Sequence, residues 1–184
     1  MTVTGSVVDG YTAAMSRLRL RVVSPRQAVS ITASGGVGTT VTVQPSAMRT
    51  LTARGMADEV AAAVEAVLTG YAKAQSMALE NTANTVTARG RRAVEQQRRI
   101  SEIDVIGHSR DNRVRLIRRG EDGAVRAEVT QAAMSDTAEA LSVGVQQAMI
   151  SLAGAHRRAR MEVYMRNARE FLSTAPQSGQ GGDS

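Results

Sequence analysis

Two stretches of this chain carry the same apolar anchors in the same order, and that repetition limits what the chain can fold into. Setting Ser24 against Ser109 aligns Val29 with Val114, Ile31 with Leu116 and Gly35 with Gly120. One extra residue in the second stretch then brings Val43 to Val129 and Met48 to Met134. A shorter loop aligns Val60 with Leu141, Val64 with Val145, Leu68 with Met149 and Tyr71 with Leu152. The anchors first alternate, as in a half-buried strand, and later recur at the spacing of a helix stripe. The chain reads as a duplication of one small unit.

Each unit reads as a strand meander followed by a helix. A short helix over residues 11–18 leads into the alternation Arg17-Leu18-Arg19-Leu20-Arg21-Val22. Val29 to Ala33 alternates again, Ser34-Gly35-Gly36-Val37-Gly38 turns, Val41-Thr42-Val43 resumes, and Pro45 stops the run. A helix is expected from about residue 57, with Asp58 and Glu59 in its first turn, where the helix dipole favours acids. It runs to about residue 101, alone or with a bend between Asn81 and Gly90. The pattern then restarts at Ile103-Asp104-Val105, and a second long helix is expected from about Thr137 toward Leu172.

The expected fold class is α+β: two tandem units, each a three-stranded antiparallel sheet with a long C-terminal helix, linked by a long helix. The expected divisions are a loose tail at 1–10, units at 11–85 and 86–172, and a disordered tail at 173–184. A sheet with one helix buries little surface alone, so the units should pack on each other or on another chain.

With one Phe, three Tyr and no Trp, the core must be aliphatic, with Ala and Met. The Ala- and Met-rich helices are candidate contacts for a homo-oligomer or a protein partner. No Cys is present, which excludes disulfides and thiolate metal sites. No apolar run reaches membrane-spanning or signal-peptide length, so no membrane association and a cytoplasmic address are expected. Gly35-Gly36-Val37-Gly38 lacks the Gly-Lys-Ser/Thr ending of a phosphate loop, and no Gly-x-Ser-x-Gly elbow occurs. The two histidines, His108 and His156, sit in no metal-ligand spacing. No catalytic residue, cofactor or metal is therefore expected, and the chain reads as a non-enzyme.

The formal net charge is +6, carried by 23 basic residues of which only Lys73 is Lys. Residues 1–85 hold 7 basic and 5 acidic residues, and residues 86–184 hold 16 and 12. Such a balance attracts polyanions. On the second hairpin, alternation sets Val114 and Leu116 on one face and Arg113 and Arg115 on the other, with Arg118, Arg119 and Arg126 nearby. Guanidinium groups on a strand face suit phosphates, which Arg grips in bidentate geometry. The competing reading is a solvated face neutralised by Asp111, Glu121, Asp122 and Glu128. The equivalent face of the first unit is expected to present Ser30, Thr32, Thr40 and Thr42 and no charge.

Val105-Ile106-Gly107-His108-Ser109, followed by Val114-Arg115-Leu116, Gly120 and Glu128-Val129, resembles the YbaB/EbfC family of small bacterial DNA-associated proteins. In the first unit, Val43-Gln44-Pro45-Ser46-Ala47-Met48 is similar to that family's strand end, while Val22 stands where the family has Gly. In the second, Gln131 stands where the family often has Pro. The resemblance implies a pseudo-dimer in one chain and weakly sequence-selective binding of double-stranded DNA in the nucleoid. It also implies helices projecting as arms. On such arms Arg91, Arg92, Arg98 and Arg99, with Arg157, Arg158 and Arg160, would straddle a duplex. Members of the family also accompany actinobacterial type VII secretion systems, where they look like adaptors or chaperone-like partners. That sets a protein-interaction role beside the DNA reading.

Overall fold

Alternating β-branched and polar residues build two three-stranded antiparallel sheets, β1-β2-β3 and β4-β5-β6. The computed structural model describes residues 12–35, 38–82, 98–100, 102–120 and 123–174. The strands of the first sheet are β1 (Arg19–Val23), β2 (Val29–Ser34) and β3 (Gly38–Val43). Those of the second are β4 (Asp104–His108), β5 (Val114–Arg119) and β6 (Val125–Val129). After the first sheet come α1 (Pro45–Thr50) and α2 (Ala53–Thr82), and after the second α3 (Gln131–Met134) and α4 (Ala138–Thr174). Residues 12–16 form the short helix expected before β1. The expected boundary at 85/86, and most of the expected linking helix, lie outside the described residues.

The anchors that define the repeat in sequence also share geometry. Val29 pairs with Val43 in one sheet and Val114 with Val129 in the other. The first hairpin of each unit closes identically. The Ser24 N–H donates to the Val29 carbonyl at 2.8 Å, and the Ser109 N–H to that of Val114 at 2.9 Å. The serine hydroxyls in turn accept from the Val29 and Val114 N–H groups, both at 3.0 Å. Gln27 and Asn112 occupy the left-handed region at φ 57° and 58°, equivalent places that no glycine marks in the sequence.

Each helix start has a local cause. Thr52 accepts from the Gly55 N–H and Thr137 from the Ala140 N–H, both at 3.1 Å, so threonine hydroxyls cap α2 and α4. Helix α2 therefore begins earlier than Asp58 suggested. Glu59 falls beyond the first turn and is buried. The short helices α1 and α3 were not expected. Pro45 occupies the first turn of α1, where its missing N–H costs nothing. Thr130 caps α3 by accepting from Ala133.

The helices join the two units. Helix α2 packs on β1 and β2 and also on β6, and α4 packs on β4 and β5 and also on β3. An open strand edge exposes N–H groups that need acceptors. The Val43 N–H of β3 donates to Ser142 Oγ of α4 at 2.9 Å, and the Val125 N–H of β6 to Glu65 Oε2 of α2 at 3.3 Å. Ile31, Val60 and Val64 from one unit and Leu116, Leu141 and Val145 from the other belong to one hydrophobic core. Met56 and Met134 are buried in keeping with a core role, whereas Met77, Met161 and Met165 are exposed.

Candidate nucleic-acid interface

The second sheet presents Asp104, Ile106 and His108 outward from β4, Arg115, Ile117 and Arg119 from β5, and Arg126 and Glu128 from β6. Its register matches charges: Asp104 lies opposite Arg119, and Glu128 opposite Arg115. Glu128 lies 3.4 Å from Arg115 and 3.6 Å from Arg126. Arg113 lies 2.9 Å from Asp136 and 3.4 Å from Asp111. These pairs are half-exposed, Arg126 more so, and each contributes little to stability, ~1 kcal/mol at most. They nonetheless leave the outer face nearly balanced in charge. The expected arginine-rich phosphate face is thus a set of opposed charges around Ile106 and Ile117.

Asp111 also fixes the hairpin turn. Its Oδ1 accepts from Ser109 Oγ at 2.6 Å and from the Arg113 N–H at 3.2 Å. The Ser109 hydroxyl, then the Arg113 amide, hold the carboxyl below its ordinary value. A carboxyl lowered in the fold contributes stability that is whole above the unfolded value, about pH 3.9, and lost as pH falls through the lower folded value. Asp111→Asn should accordingly lower stability at neutral pH and leave it little changed at the acid end, so that the acid limb of a stability–pH curve flattens. An unchanged acid limb would contradict this.

Arg118 departs from its expected place. It lies on the same side of β5 as Val114 and Leu116, the core side, and lines a cavity of about 350 Å³ between α2, α4 and β4. On α4, Arg157 and Arg158 are exposed, and Arg160 donates to Tyr164 Oη at 3.3 Å. Arg98 is exposed and lies 3.0 Å from Glu102, and Arg99 is half-buried. Arg91 and Arg92 lie outside the described residues.

The first sheet corrects the expectation of a neutral face. Arg19 and Arg21 are exposed on its outer side together with Val23. Across the register, Arg19 faces Ser34 and Arg21 faces Thr32. Thr32 in turn pairs with Thr40, and Ser30 with Thr42. No ion pair engages Arg19 or Arg21 among the described residues. Two residues along a strand set the arginines about 7 Å apart, on a surface otherwise made of hydroxyls and Val23. The signal was present in the sequence, since Arg19 and Arg21 alternate with Leu20 and Val22, which turn inward.

Among the described residues, no group of His, Asp and Glu side chains is placed to hold a metal ion, and no helix is long and apolar enough to cross a membrane. No family model, curated protein or solved structure matches the chain.

Proposed function

We propose that this protein is a non-catalytic, nucleoid-type DNA-associated protein, a YbaB/EbfC-like pseudo-dimer in one chain. In this reading it grips duplex backbone through the outer face of its first sheet. The observation that carries it is the pair Arg19 and Arg21, aligned on one strand, flanked by Ser34, Thr32 and Thr40, and engaged by no carboxylate among the described residues. Guanidinium and hydroxyl donors suit phosphate oxygens, which position a protein without reading sequence. Arg157 and Arg158 on α4 supply further exposed positive charge.

Binding to unrelated duplexes, followed by fluorescence anisotropy across a salt series, tests the proposal. Arg19→Ala with Arg21→Ala should weaken binding on every duplex and lower the log–log salt slope by about 1.8. Arg113→Ala with Arg115→Ala should change the slope little, because acids already engage both side chains. Absence of binding at about 50 mM salt, or a slope indifferent to Arg19 and Arg21, would sink the reading.

A protein-interaction adaptor, of the kind linked to type VII secretion, is the second reading. Two observations favour it: the charge-matched second sheet and the exposed Val143, Ile150, Met161 and Met165 on α4. A photo-crosslinker at position 150 distinguishes the two. One discrete protein adduct in cells, together with no duplex binding in vitro, would replace the DNA reading.

A further inference from the structure

We propose that two copies of this chain associate antiparallel through the outer face of α4, with Ile150 of each seated on Gly154 of the partner subunit. Helix α4 has two apolar faces. Leu141, Val145, Ala148 and Leu152 turn to the core and are buried. Val143, Ile150, Met161 and Met165 lie on the opposite side and are each more than half exposed. Residues seven or eleven apart in a helix fall within about 20° of one another, so these side chains, with Gly154 among them, form one stripe about 33 Å long. A contiguous exposed apolar patch marks an interaction surface, and a straight, narrow stripe fits another helix.

The internal repeat shows that the fold itself does not require this stripe. In α2 the places of Val143, Ile150 and Gly154 are taken by Ala62, Thr69 and Lys73. Gly154 is an independent observation. Glycine is the poorest helix former after proline. Among the described residues, a Cβ at Gly154 would meet only Arg158 Nη1, at an ordinary 3.5 Å. Close approach by a side chain from outside gives the glycine a purpose. Charge selects a second copy and its direction. The flanks of the stripe carry Glu139 toward one end and Arg157 and Arg158 toward the other, all exposed, while Glu162 is turned about 100° away. A parallel pair would set each arginine against its own copy and align the helix dipoles. An antiparallel pair with its two-fold axis level with Leu152 sets Arg157 against the partner's Gln147, Val143 against the partner's Met161 and Ile150 against the partner's Gly154. A face that matches itself under a two-fold axis closes a dimer. It lies apart from Arg19 and Arg21, so the inference does not rest on DNA binding.

Sedimentation equilibrium of the full chain tests the proposal, and a mass near twice the 19.5 kDa of one chain is expected. Ile150→Asp should raise the dissociation constant about tenfold or more, because it sets a carboxylate at the centre of the interface. Gly154→Leu should weaken the dimer by about tenfold through lost close approach, yet melt no lower than the parent chain when both are monomeric, since leucine favours helix. Arg19→Ala with Arg21→Ala should leave the dimer unchanged. Single cysteines report the direction of pairing, as the chain has no cysteine of its own. Val143→Cys mixed with Met161→Cys should be joined by a short bismaleimide, and neither variant should be joined to itself. A monomer at every concentration, a dimer indifferent to Ile150 and Gly154, or self-joining of Val143→Cys would overturn the proposal. So would a chain that is monomeric in vitro and gives, from a photo-crosslinker at position 150 in cells, an adduct with a different protein.

Discussion

Gly107→Val should destabilise the protein by about 3 kcal/mol or more, a fall in melting temperature of roughly 6–12 °C. A Cβ at Gly107 would lie 2.2 Å from the Ala148 carbonyl oxygen and 2.5 Å from the Leu152 nitrogen. Both atoms belong to the backbone of α4, so no side chain can turn aside and the helix must lift from β4. Lifting it exposes Val105 of β4 and Leu152 of α4, both buried where the helix meets the sheet. The first unit makes the equivalent contact differently. Val22 stands at the place of Gly107, and the small residue is on the helix instead, where Gly70 meets Leu20. A Cβ at Gly70 would lie 3.3 Å from Leu20 Cδ1, the end of a flexible side chain. Gly70→Ala should therefore be nearly neutral, since the tighter contact is offset by helix propensity of ~1 kcal/mol. Calorimetric melting of both variants checks the contrast. Equal effects would show that the two helices approach their sheets equally closely.

Glu59→Ala should cost about 2–4 kcal/mol, much more than Asp111→Ala. Glu59 Oε2 accepts from Ser24 Oγ at 2.6 Å and from the Arg26 N–H at 2.9 Å, and the residue is only 5% exposed. The Ser24 hydroxyl also accepts from Val29. One carboxyl group thus completes the turn between β1 and β2 and ties it to α2. Truncation leaves a buried hydroxyl and a partly buried N–H to find other acceptors. In the second unit, Asp111 within the turn serves Ser109 and is exposed, so water can replace it. That turn docks on α4 through another bond, from the Arg110 N–H to Gln147 Oε1 at 3.0 Å. Asp111→Ala should cost about 1 kcal/mol. Urea unfolding of the two variants measures both, and the reverse order would contradict this account.

Several features were legible in the sequence because they depend on near neighbours alone. Period-two alternation located the strand anchors, and Val29, Ile31, Val114 and Leu116 are all buried. The helix stripes through Val60 and Val64, and through Leu141 and Val145, were legible for the same reason. Strand parity also carried the outward direction of Arg19 and Arg21 and the inward direction of Arg118. The turn residue Gln27 gave no such sign, whereas asparagine, as at Asn112, is a residue that tolerates the left-handed region. Left-handed backbone usually signals glycine, and here the hairpin hydrogen bonds around Ser24 and Ser109 hold it instead.

Sequence by itself determined that one unit occurs twice, which residues anchor each unit, and roughly where its strands and helices run. Hydrophobic periodicity is a local property, and local order suffices to reveal it. Tertiary structure alone decided that each helix crosses to the other unit's strand and that Ser142 and Glu65 cap the strand edges. It also decided which arginines meet carboxylates, as Arg113 meets Asp136. Those outcomes depend on distances between residues far apart in the chain. Packing sets such distances, and they determine whether an arginine faces a row of hydroxyls, an acid or an apolar cavity.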